Sequence, residues 1–64
     1  MNKLKEFRKA NKLSQQKVAD LVNINIRLYQ YYEADGKEPA VRTAIRLARA
    51  LGTTVEELFP LEEE

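Results

Sequence analysis

Residues 26 to 31, IRLYQY, place Arg27, Gln30 and Tyr31 along one stripe of a helix, with Ile26 beside them. Their chemistry is recognition. An arginine fork donates two parallel hydrogen bonds to O6 and N7 of a guanine. A glutamine amide gives one bond and takes one at an adenine edge, and isoleucine packs on a thymine methyl. Little else in the chain could do chemistry. Its 64 residues include no Cys and no His, which removes disulfides, thiolate sites, the commonest metal ligand and the commonest general base. No nucleophile–base pair, metal-binding cluster or glycine-rich phosphate loop is present, and a chain this short has little room for a pocket. The expectation is a protein that is not an enzyme and carries no cofactor.

A recognition stripe needs a packed framework behind it. At roughly 100° per residue, with Ile26 at zero, Asn25, Leu28, Tyr29 and Tyr32 fall between roughly 200° and 300°. Ile26, Gln30, Ala34, Arg27 and Tyr31 fall between roughly 0° and 140°. The first set is the expected core side, the second the expected outer side. Asn25 is placed to cap this helix, which runs to about Ala34. Ser14 caps an earlier helix, Gln15 to about Val22, whose expected buried stripe is Val18, Leu21 and Val22 with the small Ala19 beside them. Between the two, Asn23 tolerates the left-handed backbone that ends a helix, and Ile24 plugs the turn.

The remaining elements read similarly. Leu4 and Phe7 mark an amphipathic helix from Lys3 to Ala10 that Asn2 can cap. Asp35-Gly36 is a turn signal, and Pro39 restricts the next entry. A helix from about Val41 to Leu51 has Ala44, Leu47, Ala48 and Leu51 at core spacing, and Gly52 ends it. Thr54-Val55-Glu56-Glu57 has the form of a capping box and opens a short helix through Leu58 and Phe59, which Pro60 stops. The chain reads as all-α: one domain over residues 1–59, with an acidic tail at 60–64 expected to fray.

Charge is divided along the chain. Residues 1–49 hold all eleven Lys and Arg against five acids, a balance of +6, whereas residues 50–64 hold five acids and no base. The net value of +1 hides a basic body, which attracts polyanions, and an acidic tail. No apolar run is long enough to span a membrane, and the N-terminal MNKLKEFRKANK lacks the apolar region of a signal peptide, so the expected location is cytoplasmic.

The order of these features resembles the Cro/phage-repressor helix-turn-helix family, the XRE-type regulators of bacteria. The matching pieces are Leu13-Ser14-Gln15, Val18-Ala19, the turn around Asn23-Ile24-Asn25, Glu33, Pro39, Ala48-Arg49-Ala50-Leu51-Gly52 and Thr54 through Phe59. Together they cover residues 3 to 59. The resemblance implies a compact five-helix lambda-repressor-like domain whose second and third helices form the helix-turn-helix. It implies a sequence-specific regulator of transcription, a repressor, that reads the major groove with the third helix. Ile26, Arg27 and Tyr31 fall at family base-reading positions, and Gln30 joins them from the stripe. Gln15 resembles a residue that touches the DNA backbone and braces the recognition helix. Gln16 and Asn25 are further backbone candidates, as are Lys37 and Arg42 in the loop and at the next helix start. Arg8 and Glu33 match an internal ion pair. This chain departs from the family in four places: Asn23 stands for the usual Gly, Lys17 for an acid, Ala40 for a Ser-type cap, and Ile26 for a polar residue.

The implied partner is double-stranded DNA with a palindromic operator, bound by a homodimer. Leu58, Phe59 and Leu61, with Val41 or Ile45, are the dimer candidates, although Leu58 and Phe59 also suit an intramolecular core. The alternative is a protein-interaction module or antitoxin component that uses the same helical surface for a protein partner.

Overall fold

The computed structural model describes residues 1–61 and contains five helices: α1 (Leu4–Ala10), α2 (Gln15–Val22), α3 (Ile26–Glu33), α4 (Val41–Ala50) and α5 (Val55–Leu58). Among the described residues there is no strand. Ser14, Asn25 and Thr54 sit in extended backbone. Each accepts the backbone N–H three residues on, from Lys17 at 3.0 Å, Leu28 at 2.8 Å and Glu57 at 3.1 Å. Each satisfies one of the N–H groups that a helix start leaves without a partner. Asn2 Oδ1 accepts from Leu4 N at 3.0 Å at the start of α1. Ala40, which precedes α4, has the extended backbone of a cap but no side chain to supply the bond.

The first four helices end by one device. Lys12, Asn23, Asp35 and Gly52 adopt left-handed backbone, with φ of 59°, 60°, 62° and 68°. Each N–H bonds back to the carbonyl three residues earlier: Lys9, Asp20, Tyr32 and Arg49. The next residue's N–H reaches five residues back, from Leu13 to Arg8, Ile24 to Ala19, Gly36 to Tyr31, and Thr53 to Ala48. This paired pattern is the Schellman ending, which consumes two stranded carbonyls and turns the chain. The sequence points to it at Asn23 and Gly52. At Lys12 nothing in the residue type predicts it, and at Asp35 the residue type predicts only a turn.

Leu4, Val18, Ala19, Val22, Tyr29, Tyr32, Leu47, Ala48, Leu51 and Leu58 form one buried cluster. α2 packs on both α3 and α4, α5 lies on α4, and α1 closes against α3. The chain's two ends meet, because Lys3 N donates to the Leu58 carbonyl at 2.8 Å. Asn2 Nδ2 donates to the Tyr32 carbonyl at 2.7 Å and to Asp35 Oδ1 at 2.8 Å, fastening the N-terminus to the end of α3. The Cα radius of gyration, 10.7 Å, is that of a compact domain, for which about 11 Å is expected at this length.

Two expectations need correction. Leu21 is half exposed, whereas Ala19 is fully buried. The small Ala19 side chain lets neighbouring helices approach on its side, so the inward stripe of α2 is Val18, Ala19 and Val22. Leu21 then lies roughly 110° from the centre of that stripe. Ile26 is only partly exposed and packs against the core. Leu58 is completely buried, so of its two readings the intramolecular core holds. The expected fraying of the acidic tail falls on residues 60–64, of which 62–64 lie outside the described residues.

Candidate nucleic-acid interface

The outward face of α3 is centred on Arg27, Gln30 and Ala34, all exposed, opposite the buried Tyr29 and Tyr32. Ile26 and Tyr31 occupy its two flanks, each roughly 110° from the centre of the core side. Ile26 turns toward the core. Tyr31 remains 54% exposed, unlike the other two tyrosines, and so does not join them in a buried aromatic cluster. Its ring lies over Gly36, where a β-carbon would collide with it. Of the four residues expected on a free strip, Arg27, Gln30 and Tyr31 are exposed and Ile26 is drawn partly inward.

A chain of polar contacts runs from α1 to this face. Arg8 donates to Glu33 through Nε at 3.0 Å and Nη2 at 3.1 Å, and its Nη1 donates to the Leu13 carbonyl at 2.9 Å. The two side chains are only 11% and 7% exposed. Gln15 Nε2 donates to Glu33 Oε1 at 3.2 Å, and Gln30 Nε2 donates to Gln15 Oε1 at 3.1 Å. The polarity of the chain is dictated at its inner end. An ionised carboxylate only accepts, so the Gln15 amide must turn its NH₂ inward. Its oxygen is then left to receive Gln30, and the Gln30 oxygen is left for something outside. Bracing by Gln15 therefore acts through Gln30 on one side and the ion pair on the other.

Electrostatics support the same arrangement. Burial by itself would raise the pKa of Glu33, but its interactions with Arg8, Tyr29 and Gln15 outweigh that cost and hold it below the usual carboxylate value. The hydrogen bond to Glu33 raises Arg8 further still. Burial pushes the Tyr29 phenol well above its ordinary range. Its hydroxyl lies in this cluster without a well-formed hydrogen bond, one of two such buried side-chain atoms among the described residues, alongside Thr53 Oγ1.

The other candidates surround α3. Gln16 is exposed and its amide donates to Asp20 Oδ1 at 2.9 Å, which uses one of its two N–H donors. Asn25 spends its oxygen on the cap, leaving its amide nitrogen available. Lys37 and Arg42 are exposed, in the loop after α3 and in the first turn of α4. Sequence reasoning missed Gly36 as the seat of the Tyr31 ring. No signal in the residue types marked it, because the seat exists only once the loop folds back on α3. Among the described residues there is no group of acids placed to hold a metal ion, and no helix is long and apolar enough to cross a membrane.

Comparison with known proteins agrees with this geometry. A helix-turn-helix family model matches residues 4–58. The chain is 31% identical over 62 residues to the uncharacterized HTH-type transcriptional regulator YobD of Bacillus subtilis (strain 168), covering 97% of this chain and 55% of that protein. Its fold is similar to the crystal structure of a transcriptional regulator from Listeria innocua, with a TM-score of 0.80 and 28% identity, over 95% of this chain and 57% of that one. The chain thus spans just over half the length of both relatives. With α2 and α3 set as a helix-turn-helix and the family match running through all five helices, this chain belongs to the XRE-type helix-turn-helix family of transcriptional regulators.

Proposed function

We propose that this domain is a sequence-specific repressor that places α3 in the major groove of a palindromic operator. The observation that carries this reading is the sidedness of α3. Its apolar residues are turned into the core, while Arg27, Gln30 and Tyr31 stand exposed beside the capped start of α2. Arg27 would read guanine and Gln30 would read adenine. Ile26, held at the flank, would offer only an apolar edge to a thymine methyl. Phosphates would be met by Lys37 and Arg42 and by the α2 start, where Gln15 and Gln16 lie next to free N–H groups and the positive end of the helix dipole. Asn25 offers its amide in the same way at the start of α3. Repression would follow from occupancy of the groove, in the cytoplasm.

One such module covers few base pairs, so two copies would bind half-sites about one helical turn apart. The surface proposed to join them is the shallow, mostly apolar groove lined by Glu38, Pro39, Val41, Ala44, Val55 and Phe59, with the exposed Ile45 nearby. Fluorescence anisotropy against random duplex DNA at low and high salt tests the reading. Binding should be measurable at low salt and fall steeply as salt rises, and selection from a random pool should enrich an inverted repeat. No binding at low salt would remove the DNA reading and leave the protein-interaction one.

A further inference from the structure

We propose that Gly36 is a positioning residue for Tyr31 and thereby helps set the base preference of the α3 face; the inference rests on the DNA-binding reading above. Four helices end in the same way, and in three of them the residue after the left-handed position carries a side chain: Leu13, Ile24 and Thr53. In such endings that residue commonly packs back on the helix five positions earlier. At α3 the arrangement is inverted. The later residue, Gly36, has no side chain, and the earlier one, Tyr31, has a large ring that fills the space. The Gly36 N–H donates to the Tyr31 carbonyl at 2.9 Å, so the backbone that supports the ring is tied to the residue that owns it.

Glycine is needed there for space. The left-handed strain of this turn is taken by Asp35, and Gly36 itself is not in the left-handed region. An alanine at 36 therefore escapes the left-handed penalty, and the three nearest atoms its β-carbon would meet all belong to the Tyr31 ring. That ring can escape by rotating about its χ1 bond, so Gly36→Ala should leave the fold intact and unseat the tyrosine. Seated, the ring has its Cδ1–Cε1 side against Gly36, and its hydroxyl end is carried at a fixed angle on the flank of α3. Unseated, it samples several rotamers and must be ordered again on binding.

The test is a double-mutant cycle on the enriched operator with wild type, Gly36→Ala, Tyr31→Ala and the double variant. NMR of each free protein accompanies it. In wild type, the ring current should displace the Gly36 α-proton resonances from their ordinary positions, and Tyr31→Ala should return them there. Gly36→Ala should keep or slightly raise the melting temperature, weaken operator binding about three- to tenfold, and flatten preference at one base pair. Against Tyr31→Ala it should have no further effect. Equal losses in both backgrounds, no loss in either, absence of the ring shift, or a lowered melting temperature in both backgrounds would each overturn the proposal while leaving the DNA reading in place. If wild type binds no duplex, the DNA reading falls first and this inference falls with it.

Discussion

Arg27 is exposed and forms no hydrogen bond or ion pair with another described residue, which separates its proposed function from its contribution to folding. Arg27→Ala should therefore weaken operator binding by about 1–3 kcal/mol and relax one base position, with the melting temperature unchanged. Lys37→Ala should weaken all sequences alike and reduce the salt slope by about 1; anisotropy titrations at several salt concentrations check both. Glu33 is the contrasting residue, nearly buried and held by Arg8 and Gln15. Its native pKa is lowered, so the stability it confers is complete above the unfolded glutamate value of about 4.3. That stability is lost as the pH falls through the lowered native value. Tyr29 acts at the other extreme. Its raised pKa confers stability that is present below about pH 10 and is lost as the pH rises above it. With no histidine in the chain, the melting temperature should be nearly flat between these limits and fall in acid. Thermal scans of Glu33→Gln should show a lower plateau and a weaker acid dependence.

At the scale of the helices, two ends are chemically imperfect, and both can be improved. Lys12 takes left-handed backbone with a side chain that gains nothing from it. Lys12→Gly should stabilise the domain by about 0.5–1 kcal/mol, the left-handed penalty less the extra entropy of glycine in the unfolded chain. Ala40 has capping backbone without a capping oxygen, so Ala40→Ser should add about 0.5–1 kcal/mol. Urea denaturation of each variant measures the change. Neither site touches the core or the outer face of α3, so operator binding should be unaffected. Most element boundaries were legible because their signals are local. Ser14, Asn25 and Thr54 act on N–H groups within one turn of themselves. The ending at Lys12 was not legible, since lysine has no preference for that conformation. It is set by the closure of Leu13 onto Arg8, whose guanidinium also holds the Leu13 carbonyl.

For the whole molecule, the proposed sequence-specific reading asks more than charge can provide. Its basic body supplies attraction to phosphate, which is strong at low salt and indifferent to sequence. The proposed specificity for a two-fold operator would require a second copy. Val41, 75% exposed, and Ile45, 40% exposed, lie at the apolar face of α4, away from the outer stripe of α3. Val41→Asp with Ile45→Asp should leave the fold and single half-site affinity intact while lowering affinity for the full inverted repeat at least tenfold. Sedimentation should show the accompanying shift toward monomer. Unchanged affinity for the full repeat would place the dimer contact elsewhere.

Composition, periodicity and caps were enough to specify an all-α chain with five helices and an outward polar stripe on the third. Those signals act within a turn or two of helix, where the chain is its own environment. The rotation of α2 that buries Ala19 and exposes Leu21 was decided only by packing, and so was the inward turn of Ile26. So too were the extension of the Arg8–Glu33 pair through Gln15 to Gln30 and the seating of Tyr31 on Gly36. Each depends on how rigid elements from distant parts of the chain, or a helix and the loop folded back on it, come to rest against one another. Spacing within a single element carries no record of that placement.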